Sequence, residues 1–132
     1  MADLSPAEIM LDNAPKIQSL IKCLQAVLAA PVSYPSIDLS RQTKAHIAAF
    51  QADLQSRIDE LSAQRGKAVE LVKRIPDQTT QEVLSMRYGL TGSGREMTWV
   101  QIEMRVPYSP QSLFRYHKKG IAQLNEILKN GG

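Results

Sequence analysis

The sequence predicts an all-α protein, and three observations support that fold class. Aromatic residues make up only 5% of the chain, whereas the helix-forming residues Leu, Ala, Ile, Gln, Lys and Glu are abundant. Apolar residues recur at intervals of three and four along most of the chain. Ser, Thr or Asp, residues preferred at helix N-caps, precede these periodic runs. With 132 residues, 43% of them apolar, the chain can bury a core within one or two units.

The first periodic segment begins at Ser5 and Pro6, a typical N-cap followed by a proline in the first helical turn. We expect one helix from there to about residue 13 and another over 15–29, with Pro15 either kinking or restarting the helix. The single cysteine, Cys23, lies in the second run, and we expect it to be buried and structural. The expected apolar face comprises Ile17, Leu20, Ile21, Leu24, Val27 and Leu28.

Residues 30–39 are rich in proline and serine and predict a linker, after which Ser40 is the expected N-cap of the next helix. The apolar stripe that follows comprises Ile47, Phe50, Leu54, Ile58, Leu61, Ala68, Val72 and Ile75. Arg65 is its one polar interruption. An unbroken helix would be about 50 Å long, and a break near Gly66 is the alternative.

A stripe of this length needs a partner, because helices in proteins are stabilised mainly by packing an apolar face. The preceding helix could fold back on it as an antiparallel hairpin, and the stripe of a second copy could form a coiled coil with it. We expect residues 1–65 to form a helical hairpin for self-association or partner binding, and residues 66–132 to form a second unit. The expected protein is at least a dimer, and a monomeric helical bundle is the alternative.

The second unit begins with a short helix. The long helix ends at a proline, and Asp77 is the candidate N-cap of the next. Val83 and Leu84 then lie on one face, and Gly89 is the expected C-terminal cap. A glycine-containing loop over 91–97 follows this helix.

Two further helices with a tight turn between them are predicted for the C-terminal part. Thr98 can cap the first, which ends at Pro107; Ser109 can cap the second, with Pro110 in its first turn. The apolar residues of the first are Trp99, Ile102 and Val106. The apolar stripe of the second comprises Leu113, Ile121, Leu124 and Leu128, with Tyr116 or His117 in the gap. This is the pattern of a helix-turn-helix, whose second helix lies in the major groove of DNA.

Charge is distributed unevenly along the chain. Residues 1–63 carry a formal charge of −2, from five basic and seven acidic residues, and residues 64–132 carry +5, from eleven and six. Between Glu103 and Glu126 there is no acidic residue, and the basic residues there are Arg105, Arg115, Lys118 and Lys119. The second helix of the predicted pair therefore has a surface suited to phosphates.

Few residues suggest catalysis or a metal centre. His46 and His117 have no cysteine or carboxylate near them at metal-ligand spacing. Asp59 and Glu60 are adjacent and point apart on a helix, and Ser93 lacks a general base or a phosphate-binding lysine at the right offset. We expect no enzyme, no cofactor and no metal. The first residues lack the charged-then-apolar pattern of a leader, and no apolar run approaches about 20 residues, so we expect a cytoplasmic protein without a leader or a membrane partner.

The run VLSMRYGL at 83–90, followed by a glycine-rich loop and the two helices, resembles region 4 of primary sigma factors. The C-terminal half is more similar still to the phage-encoded late transcriptional regulators ArpU and RinA. The matching elements are Thr98 and Trp99, Tyr108 and Ser109, and Arg115, His117, Lys118 and Lys119. The resemblance covers about residues 66–128. Glu103, Pro107 and Gly120 stand where these regulators usually have a small residue, Gly or Asn, and Ala.

The resemblance implies that Gln111, Ser112 and Arg115 face base edges in the major groove, while Lys118 and Lys119 contact phosphates. Residues early in a recognition helix lie deepest in the groove, which supports the same assignment of early residues to bases and later residues to phosphates. We expect a sequence-specific, DNA-binding transcriptional regulator encoded by a phage or prophage, with double-stranded DNA as its partner. One alternative is the small subunit of a phage DNA-packaging terminase, which would form ring-sized assemblies. The other is a sigma-like module that binds RNA polymerase or another protein.

Overall fold

The structure is a computed structural model that describes residues 4–30, 41–91 and 95–131 of the chain. These residues form five helices and no strand, so the predicted all-α fold class is confirmed. The helices are α1 (Pro6–Ala29), α2 (Arg41–Lys73), α3 (Gln78–Arg87), α4 (Trp99–Arg105) and α5 (Pro110–Lys129). The predicted linker over 31–39, the N-cap at Ser40 and the loop residues 92–94, including Ser93, lie outside the described residues.

α1 is a single helix, so the predicted alternative of a restart at Pro15 is wrong. Ser5 caps this helix, because its Oγ accepts a hydrogen bond from the Glu8 backbone N–H at 3.3 Å. Pro15 lies inside the helix and is buried beside Ala14. A proline removes one intrahelical hydrogen bond, and burial of this face against the rest of the protein offsets the loss.

α2 is also unbroken, and the predicted alternative of a break near Gly66 is wrong. Gly66 is exposed, with no heavy atom within 4 Å of the position that a Cβ would occupy. Leu61 and Ala68, on either side of it, are buried. Packing of these neighbours outweighs the cost of about 1 kcal/mol for a glycine in a helix interior.

α1 and α2 lie antiparallel to each other. Leu11, near the start of α1, shares a core cluster with Ile75, just after the end of α2. Nearer the other end of α1, Ile21 packs with Ile58 and Leu61 in the middle of α2. The apolar face of α1 therefore packs along the apolar stripe of α2, and the two helices run in opposite directions.

Only one side of α1 is covered, and the expected burial of Cys23 is wrong because this residue lies on the exposed side. Leu20 and Val27, which belong to the same predicted face, are exposed as well. Phe50 of the α2 stripe is 57% exposed. Because α1 ends only about two turns beyond Ile21, Phe50 lies at the limit of the surface that α1 can cover.

The largest core cluster joins α1, α2, α3 and α5. It contains Ala7, Leu11, Ala14, Leu71, Val72, Ile75, Leu84, Tyr88, Leu90, Ile121 and Leu124. Asn125 adds a polar link between α5 and α1, because its Oδ1 accepts a hydrogen bond from the Ala7 backbone N–H at 3.0 Å. α1 thus shares a core with the C-terminal helices, and α2 passes through residue 65 unbroken. The division into units 1–65 and 66–132 stays a prediction.

Arg65, the polar interruption in the α2 stripe, joins α2 to the end of α3. Its Nη2 donates hydrogen bonds to the carbonyl oxygens of Gly89 at 2.9 Å and Thr91 at 3.4 Å. Gly89 has a φ of 65°, the left-handed conformation of a C-terminal cap, and the Leu90 N–H donates to the Ser85 carbonyl oxygen at 2.9 Å. The predicted cap at Gly89 is confirmed, and the guanidinium lies where the dipole of α3 favours a cation.

Candidate nucleic-acid interface

The segment between α3 and α4 is anchored at Met97. Its backbone N–H donates to the Met86 carbonyl oxygen, and its carbonyl oxygen accepts a hydrogen bond from Arg87 Nη1, both at 3.0 Å. The Arg87 guanidinium also lies 5.0 Å from the centroid of the Trp99 ring, a cation–π contact. Together these contacts determine where α4 begins relative to α3.

The predicted caps of α4 and α5 are confirmed. Thr98 and Gln101 form a capping box, in which each side chain accepts a hydrogen bond from the backbone N–H of the other residue. Ser109 Oγ accepts a hydrogen bond from the Ser112 backbone N–H at 3.2 Å, and Pro110 occupies the first turn of α5. Only residues 106–109 separate the two helices, so α4 and α5 are joined by a short turn.

A second core cluster holds α4 against its neighbours. Val83 of α3, Ile102 of α4 and Leu113 of α5 are buried together in it. Trp99 is half-buried and packs against the same cluster, as predicted for a core residue. One residue from each helix therefore defines the relative placement of α3, α4 and α5.

α5 approaches α3 closely at Gly120. A Cβ at this position would lie 2.7 Å from Leu84 Cδ1 and 2.8 Å from Thr80 Cγ2. Both neighbours are fully buried and have little space to move into. The missing side chain of Gly120 thus sets the depth at which α5 packs on α3.

His117 belongs to the contact between α3 and α5. Its Nε2 lies 2.6 Å from Tyr88 Oη, the two rings stack, and the Trp99 ring meets His117 edge-on with centroids 5.2 Å apart. Burial lowers the pKa of His117, and the charge of Arg87 lowers it further. Burial also raises the pKa of Tyr88 to about 12. His117 is therefore neutral at pH 7 and does not add to the positive charge of α5.

On the side opposite this core, α5 has an exposed polar face. Gln111, Arg115 and Lys118 follow one another at i, i+4 and i+7, and all are exposed. Leu113 and Leu124, on the other side of the helix, are buried. Three of the predicted DNA-binding residues therefore share one face of α5, over a length of about 10 Å.

Ser112, the fourth predicted residue, is half-buried and takes part in capping α5. Its Oγ accepts hydrogen bonds from Ser109 Oγ at 3.1 Å and from Arg115 Nη2 at 3.4 Å. Ser112 also orients the Arg115 guanidinium beside the helix N-terminus.

Lys119, the fifth predicted residue, has a partner within the protein. Its Nζ lies 3.9 Å from Asp77 Oδ2, at the N-terminus of α3. The Thr80 hydroxyl donates to the same carboxylate at 2.7 Å and is the main cause that lowers the pKa of Asp77. Asp77, confirmed as the α3 N-cap, is therefore ionised and partly neutralises Lys119.

α4 and α5 have several exposed basic residues. No acidic residue occurs between Glu103 and Glu126. Within the described part of the chain Arg105, Arg115 and Lys118 form no ion pair. All three are exposed, so their charges act on the solvent side of α4 and α5.

α4 and α5 also have three exposed apolar side chains whose exposure the sequence did not predict. Val100 and Met104 of α4 are 64% and 82% exposed, and Phe114 of α5 is 63% exposed. Val100 and Met104 lie off the apolar stripe of α4, so a comparison with the helical period could have found them. Phe114 lies at the edge of the α5 stripe, about 20° around the helix from Ile121, and its exposure is a finding of the tertiary structure.

Other kinds of site have little support in the ranges 4–30, 41–91 and 95–131. There, no three His, Cys, Asp or Glu side chains come together as a metal site. None of the helices there combines the length and apolar character needed to cross a bilayer. No family model, no curated protein and no solved structure matches the chain. The resemblance to sigma region 4 and to phage regulators stays a prediction.

Proposed function

We propose that the protein binds duplex DNA through the exposed face of α5 and acts as a transcriptional regulator of phage type. The observation that carries this proposal is the alignment of Gln111, Arg115 and Lys118 on one exposed side of α5, with no acidic residue from 104 to 125. An amide, a guanidinium and an ammonium on successive turns match the base edges and phosphates that line a major groove.

The positions along α5 suggest a division of roles. Gln111 and Arg115 lie nearer the N-terminus, where a recognition helix enters the groove, and Arg115 can donate two hydrogen bonds to guanine. Lys118 lies one turn later and binds a phosphate. Lys119 contributes less to phosphate binding than Lys118, because Asp77 already lies 3.9 Å from its ammonium.

The test uses the full chain and a duplex selected from a random pool, compared with a scrambled duplex by fluorescence anisotropy. The logarithm of the binding constant should fall with the logarithm of salt concentration, with a slope of about −0.9 per neutralised phosphate. Arg115→Ala should reduce the free energy of binding to the selected duplex by about 1–3 kcal/mol, and should reduce binding to the scrambled duplex by less. Lys118→Ala should weaken binding to both duplexes by a similar factor. It should also reduce the magnitude of the salt slope by about one unit.

Lys67→Ala is the matched control, since Lys67 is an exposed lysine on α2 outside this face, and it should leave both affinities unchanged. Affinity that does not depend on salt would contradict DNA binding. Equal losses on both duplexes for Arg115→Ala would contradict its role in reading bases, provided that circular dichroism shows an intact fold.

A second candidate function is contact with RNA polymerase or another protein through α4. Val100 and Met104, one turn apart, form an exposed apolar pair of the kind that marks protein interfaces. Met104→Lys should then weaken co-elution with RNA polymerase and leave the affinity for DNA unchanged. Loss of DNA affinity in this variant would place α4 in the DNA interface instead.

A further inference from the structure

Phe114 is an aromatic side chain that the core leaves largely exposed. It is 63% exposed, although it lies in α5 next to the fully buried Leu113. Burying a phenylalanine side chain is favourable by roughly 1.5–3 kcal/mol, so a partner that covers this ring would gain free energy from the contact.

The ring lies at the edge of the polar face of α5. At about 100° of rotation per residue, Phe114 is about 60° around the helix from Gln111 and about 40° from Lys118. Side chains on a helix lean toward its N-terminus, so the ring covers the first turn of α5. In the proposed DNA complex this turn lies deepest in the groove.

The neighbours of Phe114 limit where the ring can lie. Phe114, Leu113 and Pro110 of α5 line a cleft of about 180 Å³ together with Trp99 and Glu103 of α4. The ring therefore borders α4 on one side and is open to solvent on the other. On the edge of a base in the major groove, an apolar group is best matched by an apolar group of that base.

We propose that Phe114 is a specificity-determining residue that recognises thymine through its C5 methyl group. The methyl group is the one apolar feature that a base edge presents in the major groove, and it distinguishes a T·A pair from the other three pairs. This inference rests on the proposed DNA-binding function. It adds a thymine contact to the polar contacts assigned to Gln111 and Arg115.

The experiment replaces each thymine of the selected duplex by uracil, one position at a time, which removes only the methyl group. Binding of the wild-type protein should weaken about three- to fivefold at one or two positions, the value expected for one buried methyl group. Phe114→Ala should bind the thymine and uracil duplexes equally at those positions. Leu20→Ala, which removes an exposed apolar side chain from α1, should keep the wild-type ratio.

The outcomes separate this inference from the proposed function. A wild-type protein that binds every uracil duplex as tightly as the original overturns the thymine contact and leaves DNA binding intact. A Phe114→Ala variant that keeps the full difference between thymine and uracil also overturns it, because another residue then reads the methyl group. Absence of salt-dependent binding to any duplex overturns the proposed function, and the thymine contact with it.

Discussion

A methyl group added at Gly120 tests the close approach of α5 to α3. The new Cβ would lie 2.7 Å from Leu84 Cδ1 and 2.8 Å from Thr80 Cγ2, whereas ordinary carbon contacts are about 3.5–4.0 Å. Such overpacking in a buried place costs about 1–3 kcal/mol. Alanine also favours a helix interior over glycine by up to about 1 kcal/mol. The free energy of unfolding of Gly120→Ala should therefore fall by between zero and about 2.5 kcal/mol, since the gain from alanine is about 0.5–1 kcal/mol.

Gly66→Ala is the matched control, because it makes the same change in a helix interior where no heavy atom lies within 4 Å of the new Cβ. This variant should gain about 0.5–1 kcal/mol. The helix-propensity effect is the same in both variants, so the difference between them isolates the crowding at Gly120. That difference should be about 1–3 kcal/mol, and each 1 kcal/mol corresponds to roughly 3–5 °C in the unfolding temperature of a chain of this size.

The assay is thermal and urea unfolding, followed by circular dichroism at the helix band. Gly120→Ala should melt below wild type or near it, and Gly66→Ala should melt above wild type. If Gly120→Ala proves as stable as Gly66→Ala, α5 does not pack on α3 at the described depth. The polar face of α5 would then lie at a different distance from α3.

Two other predictions concern pH and self-association. The unfolding temperature should fall as pH is lowered from 7.5 to 5.5, because the folded state resists protonating His117 and the unfolded chain accepts a proton near pH 6.5. His117→Gln should flatten this dependence, and an equal dependence on pH in wild type and His117→Gln would contradict the assigned role of His117. The exposed Phe50 and its stripe should pair with a second copy, so light scattering should give more than the 14.7 kDa of one chain at tens of micromolar. Phe50→Glu should shift the protein toward the single-chain mass while Gln51→Glu should not, and a wild type of single-chain mass would contradict the dimer.

The helix boundaries in the C-terminal half could be predicted from the sequence because each depends on local contacts. Thr98, Ser109 and Asp77 cap α4, α5 and α3 through hydrogen bonds to residues two or three positions away. Gly89 ends α3 through its own backbone conformation. The polar face of α5 is equally local, since the period of the helix alone places Gln111 and its neighbours on one side.

Which side of a helix is covered depends on distant residues, and only the tertiary structure decided it. Periodicity assigns Cys23 and Phe50 to apolar faces, but α1 and α2 cover only part of each other, so both are exposed. Lys119 belongs to the basic run in the sequence, but in the structure the carboxylate of Asp77, 42 positions earlier, partly neutralises its charge. Gly120 stands where the resembling regulators usually have Ala, and its missing side chain permits a close approach of α5 to α3. The physical reason is the same in each case: burial, ion pairing and close packing require a neighbour that the chain brings near only after it folds.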